Sequence, residues 1–505
     1  MPQPKVLIPG GELHWPNGRD AMADQGLMTR KSVASIITEA GQHTLAKTLG
    51  PWSITALGIG CIIGAGIFVL TGTAAAHYAG PGIMLSFIVG GIACAFVGLC
   101  YAELAALLPV SGSTYTYTYA TLGEIFAWII GWDLILEYAM GASTVAVGWS
   151  GYILSLLHNF GINIPPQYAA APGTVFKLPD GSTVAGIVNV PAAFIILLLT
   201  AMLIGGTKES ARLNNIMVGI KLFVVVAFIL LGAGYVTTAN WHPFVPDNTG
   251  TFGQFGWTGV MRGASVVFFA FIGFDAVSTA AQETKNPQTD MPIGILGSLV
   301  ICTILYVAVA GVLTGLVPYT ELGVPDPIAK GVDVIGLTWF SVLIKIGALA
   351  GLTTVILVLL YGQSRIFFQI AKDGLLPRMF SDVHPSLGTP SKSQLLIGII
   401  VAVVAALTPI DILGEMVSIG TLFAFVLVCG AVMYLRRSDA EVARPFRTPG
   451  VPFVPIFGIA FSLLLMVFLP WETWLRLIVW LVIGLALYFA YGRSHSVLLN
   501  DAAAH

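Results

Sequence analysis

The sequence predicts an all-α polytopic membrane protein with twelve transmembrane helices, in which helices 1 and 6 are broken. Three observations lead there. Of the 505 residues, 56% are apolar and only 10% charged, far below the roughly 25% charge of an ordinary soluble domain. Apolar runs long enough to cross about 30 Å of hydrocarbon recur along the chain. Glycine-containing interruptions fall at matching places in the two halves.

The runs are read at about 53–76, 82–108, 123–157, 188–206, 212–237, 258–282, 292–317, 338–364, 393–408, 413–435, 452–469 and 472–491. The third is long enough to tilt strongly or to extend past the bilayer. Twelve crossings put both termini on one side. With that side cytoplasmic, 17 of the 23 Lys and Arg fall in inner segments, and two, Lys177 and Lys330, in outer loops. This is the bias that orients membrane proteins. The expected organisation is a cytoplasmic segment 1–50, a first repeat 51–237, a second repeat 258–435, helices 11 and 12 over 452–491, and a cytoplasmic tail 492–505. The expected location is the plasma membrane, the inner membrane of a bacterium.

The first fifty residues are polar, and no cleaved signal peptide is read in them. The outer loop 158–187 carries turn signals at Pro165-Pro166 and Asp180-Gly181. The inner stretch after helix 8 reads Lys372-Asp373-Gly374, either a solvated connector with an Asp-Gly turn or part of a gate. The five cysteines lie in apolar runs without a paired motif and read as packing residues.

Helix 1 contains Gly58, Gly60, Gly64 and Gly66 within nine residues, the least helix-favouring stretch of any span. Helix 6 contains Phe268-Phe269-Ala270-Phe271-Ile272-Gly273-Phe274-Asp275. Glycines at the spacing of Gly60 and Gly64 also serve close helix packing, but Gly66, the central depth and the match in helix 6 favour breaks. A broken helix frees N–H groups at the start of its second part and C=O groups at the end of its first. The former suit a carboxylate, helped by the helix dipole; the latter suit an ammonium. Two breaks side by side would hold a zwitterion such as an α-amino acid without any charged side chain.

The residues at these breaks, with Glu283-Thr284-Lys285-Asn286-Pro287 and its continuation to Gly294, resemble the amino acid–polyamine–organocation superfamily. Pro109-Val110-Ser111-Gly112-Ser113, Gly131-Trp132-Asp133-Leu134-Ile135-Leu136-Glu137-Tyr138 and Tyr361-Gly362-Gln363-Ser364-Arg365 are similar to its cationic amino acid transporter subgroup. The resemblance covers about residues 35–495. It implies an all-α fold of twelve transmembrane helices built as a five-plus-five inverted repeat with broken helices 1 and 6, alternating access and amino acid substrates. It also implies a substrate carboxylate on the amides of Gly64, Ala65 and Gly66, and an ammonium on the carbonyls of Ile62, Phe269, Ala270 and Ile272. Gly141 and Leu359 would line the side-chain pocket. Ala65 stands where many relatives have Thr or Ser, so a hydroxyl contact is missing.

Ionisable groups at membrane depth are costly and read as functional. Lys221 lies about 14 Å into helix 5. It is expected to carry a coupled proton and to contact freed carbonyls of helix 1 and the hydroxyls of Thr353 and Thr354; the alternative is a snorkelling lysine. Asp133 and Glu137 share one helix face. Glu137 would attract a cationic side chain, bind a second proton or pair with a polar neighbour. Asp275 would cap freed N–H groups. Glu103 and Lys345 are read as structural.

The expected function is secondary active transport of amino acids, coupled to protons, within the lipid bilayer. The alternative is a cationic amino acid exchanger or facilitator without proton coupling. Leu359 points to a small neutral substrate and Glu137 to a cationic one. No cofactor, metal or nucleic acid is expected, and a small accessory membrane subunit stays open. HExxH, Gly-x-Ser-x-Gly and Walker A stretches are absent from the sequence, which argues against the enzyme classes that use them, and no rings of polar residues suggest a channel.

Overall fold

The fold is that of a computed structural model, which describes residues 7–8, 11–12, 28–31, 49–108, 113–177, 183–205, 211–275, 277–278, 284–385, 389–438 and 444–504. It is mostly helical. Among the described residues, seven helical runs are long and apolar enough to cross a membrane, and four shorter apolar helices accompany them.

The first helix, α1 (Pro51–Ile62), begins with proline in its first turn, where the missing N–H costs nothing. The chain resumes as α2 (66–79), which starts and ends in wide π-type turns, Gly66–Leu70 and Ala75–Ala79. There follow α3 (Ile83–Leu107), a short α4 (Ser113–Thr121) and α5 (Glu124–Asn159). At 36 residues α5 is about 54 Å long at 1.5 Å per residue, which accords with a third span longer than the hydrocarbon layer. Next come α6 (Val190–Ile204), α7 (Ala211–Ala233) and α8 (Gly256–Val267). The Asn189 side chain caps α6 by accepting from the Ala192 N–H at 3.1 Å.

The second half contains α9 (Pro287–Leu316), α10 (Pro327–Ile335), α11 (Thr338–Lys372), α12 (Ser391–Leu407) and α13 (Ile410–Ser438). It is followed by α14 (Phe453–Val467) and α15 (Trp471–Leu487). The long helices α5 and α11 pack along each other. Around them, α9 lies against α1 and α3, α13 against α5, and α12 against α6. The apolar core runs continuously from α1 to α15.

The run expected over 258–282 is helical from Gly256 to Phe271 and is interrupted there, because Ile272 is extended (ψ 138°) and Gly273 has φ 111°. Three features depart from the sequence expectation. Helix α11 continues to Lys372, so the expected connector starts at Asp373, which is buried. Helices α4 and α10 form within stretches read as loops. The loop after α5 folds into a hairpin, Val175–Lys177 against Thr183–Ala185, with Val175 opposite Ala185. The Asp180-Gly181 turn, the motif residues Pro109 to Gly112 and Glu283 lie outside the described residues.

Candidate functional site

The site is built where two helices stop in mid-protein. Helix α1 ends as the Ile63 N–H bonds the Ile59 carbonyl at 2.9 Å, and Ile63 itself turns extended (ψ 104°). That turn takes the first N–H groups of α2 out of register with the carbonyls of α1, as at any helix start. Helix α8 ends in a tight 3₁₀ turn, Phe268–Phe271, closed by the Ile272 N–H on the Phe269 carbonyl at 3.1 Å. The Asp275 carboxylate then accepts the Gly273 N–H at 3.1 Å, a local cap of the type Asp supplies at helix starts.

The two stops touch through bare main chain. A Cβ at Gly66 would sit 2.2 Å from the Ala270 Cα, and one at Gly273 would sit 2.7 Å from the Cys61 carbonyl oxygen. Only glycine permits these approaches, and Gly273 also needs its freedom at positive φ. Ile62, Ala65 and Ala270 are almost completely buried, and Phe269 is 7% exposed.

Tyr306, reaching in from α9, ties the two ends together. Its hydroxyl lies 2.8 Å from the Ile62 carbonyl and 2.7 Å from the Ala270 carbonyl. These are two of the four carbonyls that the family resemblance assigns to an ammonium. Sequence reasoning missed Tyr306. It sits in a largely apolar run that also holds Ser298, Thr303 and Thr314, and nothing in the sequence sets its hydroxyl apart from theirs.

On the opposite side the site is walled by α5 and α11. A Cβ at Gly141 would meet Leu359 at 3.4 Å, so these two expected pocket residues face each other. A Cβ at Gly64 would meet Val355 at 3.2 Å, which adds a wall residue one helical turn from Leu359.

Lys221 comes from α7 and is buried. Its ammonium donates to the Gly60 carbonyl at 3.1 Å, in the last turn of α1 before the break. Its stem packs on Gly351 of α11. The hydroxyls of Thr353 and Thr354 donate to the Leu349 and Gly351 carbonyls, at 2.7 and 2.8 Å. Glu137 is buried on α5, and the Thr421 hydroxyl of α13 donates to the Val417 carbonyl of its own helix at 3.0 Å.

Polar locks close both ends of the bundle. Beside the start of α8, Arg262 pairs with Glu415 at 2.6 Å, and Thr473 donates to the same carboxylate at 2.7 Å. At the other end, Glu103 accepts two bonds from Arg436 at 2.9 Å and the Thr448 N–H at 2.7 Å. Glu124 there accepts the hydroxyls of Tyr119 and Tyr488 at 2.7 and 2.8 Å. Lys345 pairs with Asp333 at 3.1 Å. Among the described residues, no three His, Cys, Asp or Glu stand close enough to hold a metal ion.

Comparison with known proteins decides the family, because the model of the family described as "Amino acid permease" matches residues 49–488. The chain belongs to the amino acid permease family. This permease is 49% identical to the branched-chain amino acid permease BcaP of Bacillus subtilis, over 93% of this chain and 98% of that one. It is 45% identical to the methylthioribose transporter of the same organism, over 94% and 99% of the two chains. It is 34% identical to the chloroplastic cationic amino acid transporter 9 of Arabidopsis thaliana, over 94% and 93%. The permease is thus a multi-pass membrane protein of the amino acid–polyamine–organocation superfamily, with a role in amino acid transport and not an enzyme.

Proposed function

We propose that this permease is a proton-coupled secondary transporter that brings L-amino acids across the plasma membrane by alternating access. Its chain crosses twelve times, with both termini cytoplasmic and the segments 51–237 and 258–435 as inverted repeats. The observation that carries this reading is the crossing of two interrupted helices in direct main-chain contact at Gly66–Ala270 and Cys61–Gly273. Such a crossing offers amide donors and carbonyl acceptors to a ligand charged at both ends.

In this reading the substrate carboxylate sits on the amides of Gly64, Ala65 and Gly66. The ammonium takes the carbonyls of Ile62, Phe269, Ala270 and Ile272, displacing the Tyr306 hydroxyl from two of them. Leu359, Val355 and Gly141 bound an apolar side-chain pocket, which suits a branched or small neutral amino acid. Lys221 carries the coupled proton. Charged, it holds the end of α1 through Gly60; neutral, it donates less strongly and lets α1 move.

A second reading is favoured by the likeness to a methylthioribose transporter, whose named ligand is no zwitterion. Reconstitution into liposomes separates the readings. Uptake of labelled L-leucine driven by an inward proton gradient, and its loss in Lys221→Ala, supports coupled amino acid transport. Leucine uptake indifferent to the gradient, or methylthioribose uptake in its place, overturns it.

A further inference from the structure

A helix aims its carbonyls through its own hydrogen bonds, and a broken segment loses that control. Past Phe271 the chain leaves the helical ladder, with Ile272 extended and Gly273 at φ 111°. The Gly273 N–H could close on the Ala270 carbonyl in a further 3₁₀ turn, but it goes to the Asp275 carboxylate instead, at 3.1 Å. The direction of the Ala270 carbonyl is then set by what packs on the turn.

One support is the Tyr306 hydroxyl, 2.7 Å from that carbonyl, which the substrate displaces in the reading given above. The other is a group of rings. Phe425 of α13 meets a ring on each side of the break. Its centroid lies 5.5 Å from that of Phe268, before the break, and 5.1 Å from that of Phe274, after it. Tyr101 of α3 completes the group, 5.5 Å from Phe274 and 5.7 Å from Phe425, at interplanar angles of 85° and 73°. Its hydroxyl is tethered to that of Thr114 on α4 at 2.9 Å. Ring pairs at these separations and edge-to-face angles attract one another in a preferred orientation. All four rings are buried, so none can shift without opening a void. Phe271, between the two, turns the other way. It lies 5.4 Å from the Tyr306 ring and against Gly90 of α3, where a Cβ would sit 3.0 Å from it. The second break is therefore folded around Phe425.

We propose that Phe425 is a positioning residue for the ammonium of the substrate: by holding Phe268 and Phe274 on either side of the break, it keeps the Ala270 carbonyl aimed at the site once the Tyr306 hydroxyl has been displaced. Tyr306 steadies the empty site, and Phe425 steadies the filled one. The inference rests on the amino acid site proposed above.

Isothermal titration of the purified permease with L-leucine tests it. Phe425→Leu and Phe274→Leu are expected to weaken binding at least tenfold. Phe228→Leu, which removes an equally buried ring on α7, is expected to lower the melting temperature and keep the wild-type affinity. Competition separates positioning from a general loss of packing. In Phe425→Leu, 3-methylbutylamine, which carries the ammonium alone, should bind at least tenfold more weakly, whereas 4-methylpentanoate, which carries the carboxylate alone, should keep its wild-type inhibition constant. Wild-type leucine affinity in Phe425→Leu, equal weakening of both analogues, or the same loss in Phe228→Leu overturns the proposal. If Phe425→Leu does not fold, the same measurements on Phe274→Leu decide. If the wild type itself binds no leucine, the site reading fails first and the positioning role fails with it.

Discussion

The hydroxyl of Tyr306 stands 2.8 Å from the carbonyl of Ile62, the last residue of the first helix before its break. The same hydroxyl lies 2.7 Å from the Ala270 carbonyl at the second break. One phenol proton is thereby shared between two buried backbone acceptors that have left their helices, where an unmade bond is expensive.

Removing that hydroxyl should expose the conflict. Tyr306→Phe leaves two buried carbonyls to share no donor, at a cost of about 1–3 kcal/mol. The apo protein should therefore melt at a lower temperature. Substrate should stabilise the variant more than the wild type, since an ammonium restores the lost donor. A thermal-shift titration of both proteins measures this. An equal or smaller ligand-induced shift in the variant would detach Tyr306 from the substrate site.

The glycine contacts predict a sharp steric limit. Gly66→Ala places a methyl 2.2 Å from the Ala270 Cα, a distance no side-chain adjustment can relieve. Overpacking of this kind typically costs about 1–3 kcal/mol, and here it also forces the two breaks apart. Transport should fall more than tenfold while circular dichroism keeps its helical signal. Alanine at Gly430, which has open space around it, is the control and should transport normally.

Much of this arrangement was legible beforehand because composition and periodicity carry it. The clustered glycines of the first span marked its break, and the Phe-Ile-Gly-Phe-Asp stretch marked the second. The length of α5 also followed from residue counts. What could not be read was long-range pairing. That Tyr306 reaches both breaks, that Glu103 meets Arg436, 333 residues away, or that Gly420 faces Asp133 depends on which helices become neighbours. Helices α4 and α10 were missed for a different reason. The first is rich in Thr and Tyr and the second is only nine residues long, so neither shows a membrane-length apolar run.

Leu359 sets the expected selectivity. Its side chain packs against Gly141, and in the proposed site Leu359→Ser should open room for longer substrates. Discrimination between side chains differing by one methylene is worth about 1–3 kcal/mol, so inhibition constants should move by tenfold or more. Competition for labelled leucine by arginine and phenylalanine measures it. Unchanged competition by both removes Leu359 from the pocket.

Asp326, in the loop before α10, supplies a pH dependence. Burial pushes its carboxyl up to about 6, against smaller downward pulls from the Ser155 hydroxyl and Lys345. A carboxyl whose folded value lies above its unfolded value near 4 binds more protons in the folded state. Its contribution to stability is therefore complete below pH 4 and is lost as pH rises through 6. The melting temperature of the wild type should fall between pH 5 and 7 by more than that of Asp326→Asn. Parallel melting curves in the two proteins would contradict this.

The central claim is that main chain at the two breaks grips both charged ends of an amino acid. The most direct measurement is isothermal titration of the purified permease with L-leucine, with 3-methylbutylamine, which lacks the carboxylate, and with 4-methylpentanoate, which lacks the ammonium. The account predicts that leucine binds and that each single-ended analogue binds at least a hundredfold more weakly. An analogue that binds as well as leucine, or methylthioribose binding where leucine does not, would contradict it.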